Sequence, residues 1–187
     1  MGRGRLRYSC GLLLSGGIDS STVAGLLVDE GSSVEAVFVG YGQLALREER
    51  QASQRIASHF RLPWIEIDIQ GLHTPAFSET RGRNDLLLAV ASAASAAEAI
   101  AIGIHAGTPY ADCSPVHAAA WQMLLDTQHR GARRLIAPLQ TMTKLEVVAL
   151  ARGLNVPLPE TYSCEDAGGP CGRCVSCRDR EQALARP

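Results

Sequence analysis

Short apolar runs alternate with longer amphipathic or alanine-rich segments along most of this chain. The apolar runs predict strands at Tyr8–Leu14, Val34–Val39, Trp64–Ile69, Ile100–Ile104 and Leu135–Ala137. Strands that are apolar throughout and separated by helices are typical of a parallel sheet covered on both faces. The pattern therefore predicts an α/β fold with a doubly wound, mostly parallel five-stranded sheet. Such a sheet places its ligand site beyond the carboxyl ends of the strands.

The segments between the strands predict five helices. They are Asp19–Glu30, Leu44–Phe60, Asp85–Ala99, Pro115–His129 and Lys144–Gly153, with an irregular stretch over 70–84. Ser114 and Pro115 suit the N-cap and the first position of the fourth helix. Thr143 and Glu146 form a capping-box pattern at the start of the fifth, and Gly153 closes it.

Length and composition restrict the class of protein. With 187 residues, 46% of them hydrophobic, the chain can bury a core without disulfides. The formal net charge of −1 gives no basic field for a nucleic-acid partner. The longest apolar region, 86–107, is interrupted by Ser92 and Glu98 and is too weak to span a bilayer. We expect a soluble cytoplasmic protein with one α/β domain over 1–158 and a cysteine-bearing appendage over 159–187.

A glycine-rich turn joins the first strand to the first helix. Its sequence runs Leu14-Ser15-Gly16-Gly17-Ile18-Asp19-Ser20-Ser21. Glycines let a backbone approach an anion closely, and free amides at a helix start donate to it. The serine hydroxyls add donors, and the carboxylate can orient the loop or a magnesium ion. A plain strand-to-helix turn with a serine cap is the alternative, and the spacing is not that of a Walker A loop.

Four cysteines cluster near the C-terminus, at Cys164, Cys171, Cys174 and Cys177, with glycines among them. In a chain without a secretion signal this clustering indicates a metal site rather than disulfides. Four thiolates around Zn²⁺ make a closed structural site, and its metal would fold a segment of low apolar content. An iron–sulfur cluster is the competing interpretation.

Lys144 is the only lysine among eighteen basic residues. It falls in the first turn of the fifth helix, against the positive end of the helix dipole, where a cation lowers stability. Its placement beside the glycine-rich turn favours the interpretation that the Lys144 side chain binds a phosphate group. The alternative is that the side chain merely points to solvent. Arg83 with Asn84 and Tyr110 with Asp112 also precede helices at this edge of the sheet, although each pair alone reads as capping or turn residues.

The string Ser-Gly-Gly-x-Asp-Ser resembles the pyrophosphate loop of the N-type ATP pyrophosphatases. Together with Tyr41-Gly42-Gln43, Gly82-Arg83-Asn84, Tyr110-x-Asp112-Cys113, Lys144 and the four cysteines, it occurs in the order seen in the 7-cyano-7-deazaguanine synthase family. The resemblance covers nearly the whole chain. It implies that 7-carboxy-7-deazaguanine is activated by ATP, that ammonia gives the amide, and that a second activation gives the nitrile.

The resemblance also implies roles for particular residues. It implies that ATP, with Mg²⁺, is bound by Leu14, Ser15, Gly16, Gly17, Ile18, Asp19, Ser20, Ser21, Val39, Tyr41 and Lys144. It implies that the substrate is bound by Arg83, Asn84, His105, Tyr110 and Asp112. It implies catalytic roles for Asp19, Lys144, Arg83 and Asp112, and Zn²⁺ on Cys164, Cys171, Cys174 and Cys177. Members are often homodimers, and no nucleic acid or membrane partner is expected.

The chain departs from the family pattern around the substrate residues. Ser114 follows Asp112-Cys113 where the family commonly has arginine, and the segment before Arg83 is short. ATP and zinc chemistry carry over, whereas the acceptor carboxylate stays open. A diverged ligase that joins a carboxylate to another amine, even a protein amine, is one alternative. A tRNA thiolase and a nucleotide-binding protein without turnover are the others.

Overall fold

The computed structural model describes residues 8–72 and 82–186 of the chain. Within these residues five strands form one sheet in the order β3-β2-β1-β4-β5, and every neighbouring pair is parallel. The strands are β1 (Ser9–Leu13), β2 (Ser33–Gly40), β3 (Trp64–Asp68), β4 (Ala99–Ala101) and β5 (Arg134–Ile136). The predicted parallel five-stranded α/β fold is confirmed.

Six α-helices connect and follow the strands in the described residues. They are α1 (Ile18–Asp29), α2 (Leu46–Phe60), α3 (Arg83–Ala94), α4 (Pro115–His129), α5 (Lys144–Gly153) and α6 (Val175–Leu184). The sequence did not predict α6, which lies in the cysteine-bearing segment and buries few side chains. Its N-cap is Cys174, whose sulfur accepts the backbone N–H of Cys177, so the metal-site pattern and the helix start are the same residues.

The sheet is covered on both faces. One apolar core packs β1 and β2 side chains against α1, α2 and α5, with Val23, Ile56 and Val147 fully buried. The other packs Leu13, Val37 and Ile102 of the sheet region against Leu88 of α3 and Trp121 of α4. The inner strands β1, β2 and β4 are mostly buried on both faces, which explains their largely apolar sequence, whereas the edge strand β3 alternates and exposes Glu66 and Asp68.

The helix starts predicted from capping residues are confirmed. Ser114 accepts the backbone N–H of His117 at the start of α4. Thr143 and Glu146 form a complete capping box, in which the Glu146 carboxylate accepts the Thr143 N–H at 2.7 Å. This box fixes where α5 begins and therefore where Lys144 stands relative to the sheet.

The predicted third helix, 85–99, was wrong at its end. The alanine-rich sequence favours a continuous helix, yet α3 stops at Ala94 and Ser95 is extended. The guanidinium of Arg133 donates to the carbonyls of Ser92 and Ser95 and holds the chain away from helical geometry. The strand that follows accordingly begins at Ala99, one residue earlier than predicted. Part of the predicted irregular stretch, 73–81, lies outside the described residues.

No helix in the described ranges combines the length and the apolar character needed to cross a bilayer.

Gly16 offers a test of the packing that holds the turn after β1. Its φ is +80°, and a Cβ there would lie 2.4 Å from the backbone nitrogen of Ser53 in α2. We expect Gly16→Ala to lower the free energy of unfolding by about 1–3 kcal/mol or more. Both the backbone strain at positive φ and the overlap of the new Cβ with α2 must be relieved. Urea denaturation followed by circular dichroism measures the change.

Gly153→Ala is the matched control. Gly153 ends α5, and a Cβ there meets nothing within 4 Å. This change should leave stability unaltered or raise it by up to about 1 kcal/mol. Equal destabilisation by the two substitutions would contradict the packing argument.

Candidate functional site

A cleft of about 300 Å³ opens at the carboxyl ends of β1, β2 and β4. This is the edge at which the sequence predicted a ligand site. Thirteen of the residues predicted for ATP or substrate line it. They are Leu14, Ser15, Gly17, Ile18, Asp19, Ser20, Val39, Tyr41, Arg83, Asn84, His105, Tyr110 and Lys144.

The turn after β1 presents a helix start to this cleft. Gly17 is the N-cap of α1 and has no side chain with which to bond the first amides. The hydroxyls of Ser15 and Ser20 lie 3.2 Å apart beside it. A helix start whose first N–H groups face a cleft, together with hydroxyl donors, is an anion-binding arrangement.

Two residues predicted to contact the nucleotide stand behind the turn instead. Gly16 packs against the Ala52–Ser53 backbone of α2 and is not part of the cleft lining. Ser21 is fully buried, and its hydroxyl donates to the carbonyl of Gly17 at 2.7 Å. In this structure α2 and the first turn of α1 occupy the space around them, and their predicted contact with ATP stays a prediction.

Gly103 lines the same end of the cleft and was missed by the sequence interpretation. A Cβ on Gly103 would lie 2.5 Å from the backbone nitrogen of Ser20. Its absence lets the chain after β4 pass directly beside the start of α1. A glycine inside the predicted strand Ile100–Ile104 was the available signal, since glycine within a strand pattern often marks the close approach of another backbone.

Lys144 and Asp19 form an ion pair at the end of the cleft beside the start of α1. The Nζ of Lys144 lies 2.7 Å from Oδ1 and 2.8 Å from Oδ2 of Asp19. Both side chains are about one-fifth exposed, so each can reach a ligand. The His105 Nδ1–H donates to the carbonyl of Ala106, and its Nε2 lies 3.9 Å from Asp19. His105, predicted for the substrate, therefore stands beside Asp19 at the same end of the cleft as Lys144.

A second group of charges surrounds Arg83 at the start of α3. Burial alone would lower the pKa of its guanidinium, but the neighbouring Tyr41, Asp112 and Glu49 raise the pKa above its ordinary value. Burial also raises the pKa of Tyr41. Arg83 is thus a permanent cation in a partly dry wall of the cleft.

Asp112 supports that wall from behind and does not line the cleft. Its carboxylate accepts the backbone N–H of Asn84 at 3.1 Å, and its own carbonyl accepts the Asn84 side-chain amide at 3.2 Å. The N-cap of α3 is Gly82, so Asp112 supplies from another segment the carboxylate that a helix start favours. Asp112 thus positions the start of α3, and its predicted contact with substrate stays a prediction.

The four clustered cysteines converge. The sulfurs of Cys164, Cys171, Cys174 and Cys177 all lie within 4.8 Å of one another. Tetrahedral thiolates around a single Zn²⁺ would stand about 3.8 Å apart at the usual bond length, so the set fits one ion after a small contraction. Backbone N–H groups of residues 171, 174 and 177 donate to sulfurs of the set. Such bonds, from Arg173 first and Cys174 next, lower the pKa of Cys171 to about 6.

The cysteine-bearing segment also forms one wall of the cleft, which the sequence interpretation missed. The backbone N–H of Tyr162 donates to the carbonyl of Gly16 at 2.9 Å. Arg180 of α6 donates hydrogen bonds to the Thr161 hydroxyl and to the carbonyl of Leu158. These bonds fix the extended segment that carries Tyr162. The cleft lining from this segment comprises Tyr162, Ser163, Cys164, Glu165, Val175, Ser176 and Asp179.

A parallel sheet with an open helix start after β1 is typical of α/β nucleotide-binding proteins, and the family matches place this chain in the ATP pyrophosphatase class. The family model described as queuosine biosynthesis protein QueC matches residues 77–186, and the asparagine synthase model matches residues 3–80. The chain belongs to the QueC family, that of the 7-cyano-7-deazaguanine synthases. It is 34% identical to the 7-cyano-7-deazaguanine synthase of Microcystis aeruginosa over 92% of this chain and 89% of that one. It is 33% identical to that of Synechococcus sp. strain RCC307 over 92% of both.

A solved structure shares the fold at much lower identity. The U34-tRNA thiolase NcsA from Methanococcus maripaludis, determined with its 4Fe-4S cluster, has a TM-score of 0.58 and 17% identity. The match covers 95% of this chain and 64% of that one. At this identity the likeness concerns the fold alone.

The cysteine set predicts metal content. We expect one metal ion per purified chain, and we expect Cys177→Ser to lose the ion and lower the melting temperature, because one of four ligands is gone. Elemental analysis and thermal unfolding measure both effects. Cys10→Ala is the control, since Cys10 is buried in β1 away from the set and should retain the ion. Full metal content in Cys177→Ser would contradict the assignment.

Proposed function

We propose that this protein activates 7-carboxy-7-deazaguanine with ATP and converts it with ammonia, through the amide, to 7-cyano-7-deazaguanine. One observation carries the proposal. In a member of the 7-cyano-7-deazaguanine synthase family, the open start of α1, Lys144 and Arg83 line a single cleft. That cleft offers an anion site and a separate cationic wall for a second substrate.

ATP binds at the end of the cleft beside the start of α1, which we call the phosphate end. The N–H groups at the start of α1 and the hydroxyls of Ser15 and Ser20 bind the pyrophosphate portion. Lys144 adds a compact cation that stabilises charge as it develops on the leaving pyrophosphate. Asp19 carries the carboxylate oxygens that Mg²⁺ prefers, and its pairing with Lys144 loosens when both engage the nucleotide. Val39 and Tyr41, at the end of β2, flank the base.

The reaction consumes two molecules of ATP. A carboxylate oxygen of the substrate attacks the α-phosphorus, which forms the acyl adenylate and releases pyrophosphate. Ammonia then displaces AMP and loses a proton, which gives the amide. The amide oxygen attacks the α-phosphorus of a second ATP, which releases pyrophosphate and a proton, and loss of AMP and a second proton leaves the nitrile. Each attack depends on holding the acceptor in line with the α-phosphate, which is a task of positioning.

The acceptor end comprises Arg83, Asn84 and Tyr110. The guanidinium of Arg83 stays charged and can orient an anionic substrate through two parallel hydrogen bonds. Asp112 acts on this end indirectly, since it fixes the backbone of Asn84 at the start of α3.

For the cysteine set we propose Zn²⁺. In an iron–sulfur cluster the four thiolates are divided among two or four irons and stand outside the cluster, so at least some of the sulfurs lie farther apart than around one ion. Sulfurs within 4.8 Å of one another suit a single tetrahedral ion. Zn²⁺ here would have a structural role, holding residues 159–187 as a wall on an ATP-using domain that spans 1–158.

The proposal predicts a product. Incubation of the protein with ATP, 7-carboxy-7-deazaguanine and ammonia should yield the nitrile together with AMP and pyrophosphate, followed by mass spectrometry. Lys144→Ala should lower kcat/KM by about 10²- to 10³-fold, the usual effect of removing one group that stabilises transition-state charge. Arg47→Ala on the exposed side of α2 is the matched control and should keep full activity.

Other outcomes of this assay favour other functions. Accumulation of the amide or the adenylate would point to a diverged family member that transfers the activated carboxylate to a different amine. If wild-type protein cleaves no ATP with this substrate, the proposed reaction is wrong. A tRNA thiolase activity has only the fold likeness to support it.

A further inference from the structure

Glu49 lines the cleft without a role in the chemistry described above. It lies in the first turn of α2, close to the carboxyl end of β2. Its Oε2 accepts a hydrogen bond of 2.9 Å from the side-chain amide of Gln43, whose own carbonyl accepts the backbone N–H of Tyr41 at 2.8 Å. The carboxylate is therefore held in a fixed orientation by the chain that ends β2.

The charged groups around Glu49 place it at the acceptor end. Burial is the largest effect on the pKa of Glu49 and raises it. The hydrogen bond from Gln43 and the charge of Arg83 act to lower the pKa, Glu48 acts to raise it, and the net pKa is about 7. Tyr41 also faces it across the end of β2. The groups that act on Glu49 most strongly thus belong to α2, the end of β2 and the start of α3, not to the Lys144–Asp19 pair.

An ionised carboxylate offers only hydrogen-bond acceptors. The edge of adenine presents a donor beside an acceptor, which a carboxylate matches at one position only. The corresponding edge of a guanine-type ring presents two adjacent donors, the ring N1–H and the 2-amino group, which the two oxygens of one carboxylate can accept together. A negative charge there would repel phosphate, but it suits this neutral pair of donors.

We propose that Glu49 is the residue that selects a guanine-type ring as acceptor, with its two carboxylate oxygens accepting the N1–H and the 2-amino group. This inference rests on the proposed function, because it takes the acceptor to be a deazaguanine. Gln43 fixes the carboxylate, and Arg83 beside it favours the charged form.

The test measures binding without turnover. Calorimetric titration with 7-deazaguanine, and with the same ring lacking the 2-amino group, should show that the wild-type protein prefers the first by about 10- to 100-fold, the range for a good bidentate base contact. In Glu49→Gln, whose amide presents one donor and one acceptor, the preference should fall to about threefold or less. ATP affinity should change much less than the affinity for 7-deazaguanine in this variant, because Glu49 is linked to Tyr41 at the base site only indirectly, through Gln43. Glu35→Gln, in the amino-terminal half of β2 and outside the cleft, is the matched control.

A pH series provides a second readout. The ionised form binds, so the affinity of wild-type protein for 7-deazaguanine should rise as pH increases through about 7 and then level off. Glu49→Gln should lack this rise. Glu49→Asp keeps the charge but shortens the side chain, so it should retain the pH dependence with weaker binding; it also serves if Glu49→Gln fails to fold.

Three results would overturn the inference. They are an unchanged preference for the 2-amino ring in Glu49→Gln, a loss of ATP affinity in that variant with acceptor binding intact, and wild-type binding that does not depend on the 2-amino group. The proposed function can fail independently, through absence of ATP cleavage by a wild-type protein that still distinguishes the two rings.

Discussion

Close backbone approach around the first turn of α1 is the constraint on which the cleft depends. Gly16 packs against residues 52 and 53 of α2, and Gly103 lets the chain after β4 pass beside the nitrogen of Ser20. The Tyr162 N–H closes the third side by donating to the Gly16 carbonyl. With three segments holding the turn through backbone contacts, the first N–H groups of α1 stay directed at the cleft instead of at a neighbouring side chain.

Apart from Glu165 and Asp179 of the cysteine-bearing wall, the charged side chains of the cleft fall into two groups. Lys144, Asp19 and His105 stand beside the helix start, whereas Arg83 and Glu49 stand beside the end of β2 and the start of α3. Each group contains both signs, which lowers the desolvation cost of keeping charges in a half-buried wall. A pair of substrates, one strongly anionic and the other presenting ring donors, matches this division.

The cysteine-bearing segment contributes to the same cleft. Cys164 belongs both to the four-sulfur set and to the cleft lining. It lies two residues from Tyr162, whose backbone N–H is hydrogen-bonded to the turn after β1. Arg180 links α6 back to this short connection. Order in the cysteine set is consequently linked to the shape of the cleft, while Ala183 and Leu184 of α6 attach the segment to the main core.

The sequence by itself determined the sheet, the capped starts of α4 and α5, the glycine-rich turn and the convergence of four cysteines, because these depend on local patterns of apolar, capping and sulfur side chains. Only the tertiary structure decided the end of α3, which depends on Arg133 from the distant segment before β5, and the placement of Gly16 and Ser21 behind the turn. It alone moved Asp112 out of the cleft and brought Glu49 into it. Nothing local distinguishes Glu49 from Glu48 beside it in the first turn of α2, and only the packing of α2 across the sheet edge determines which carboxylate faces Arg83.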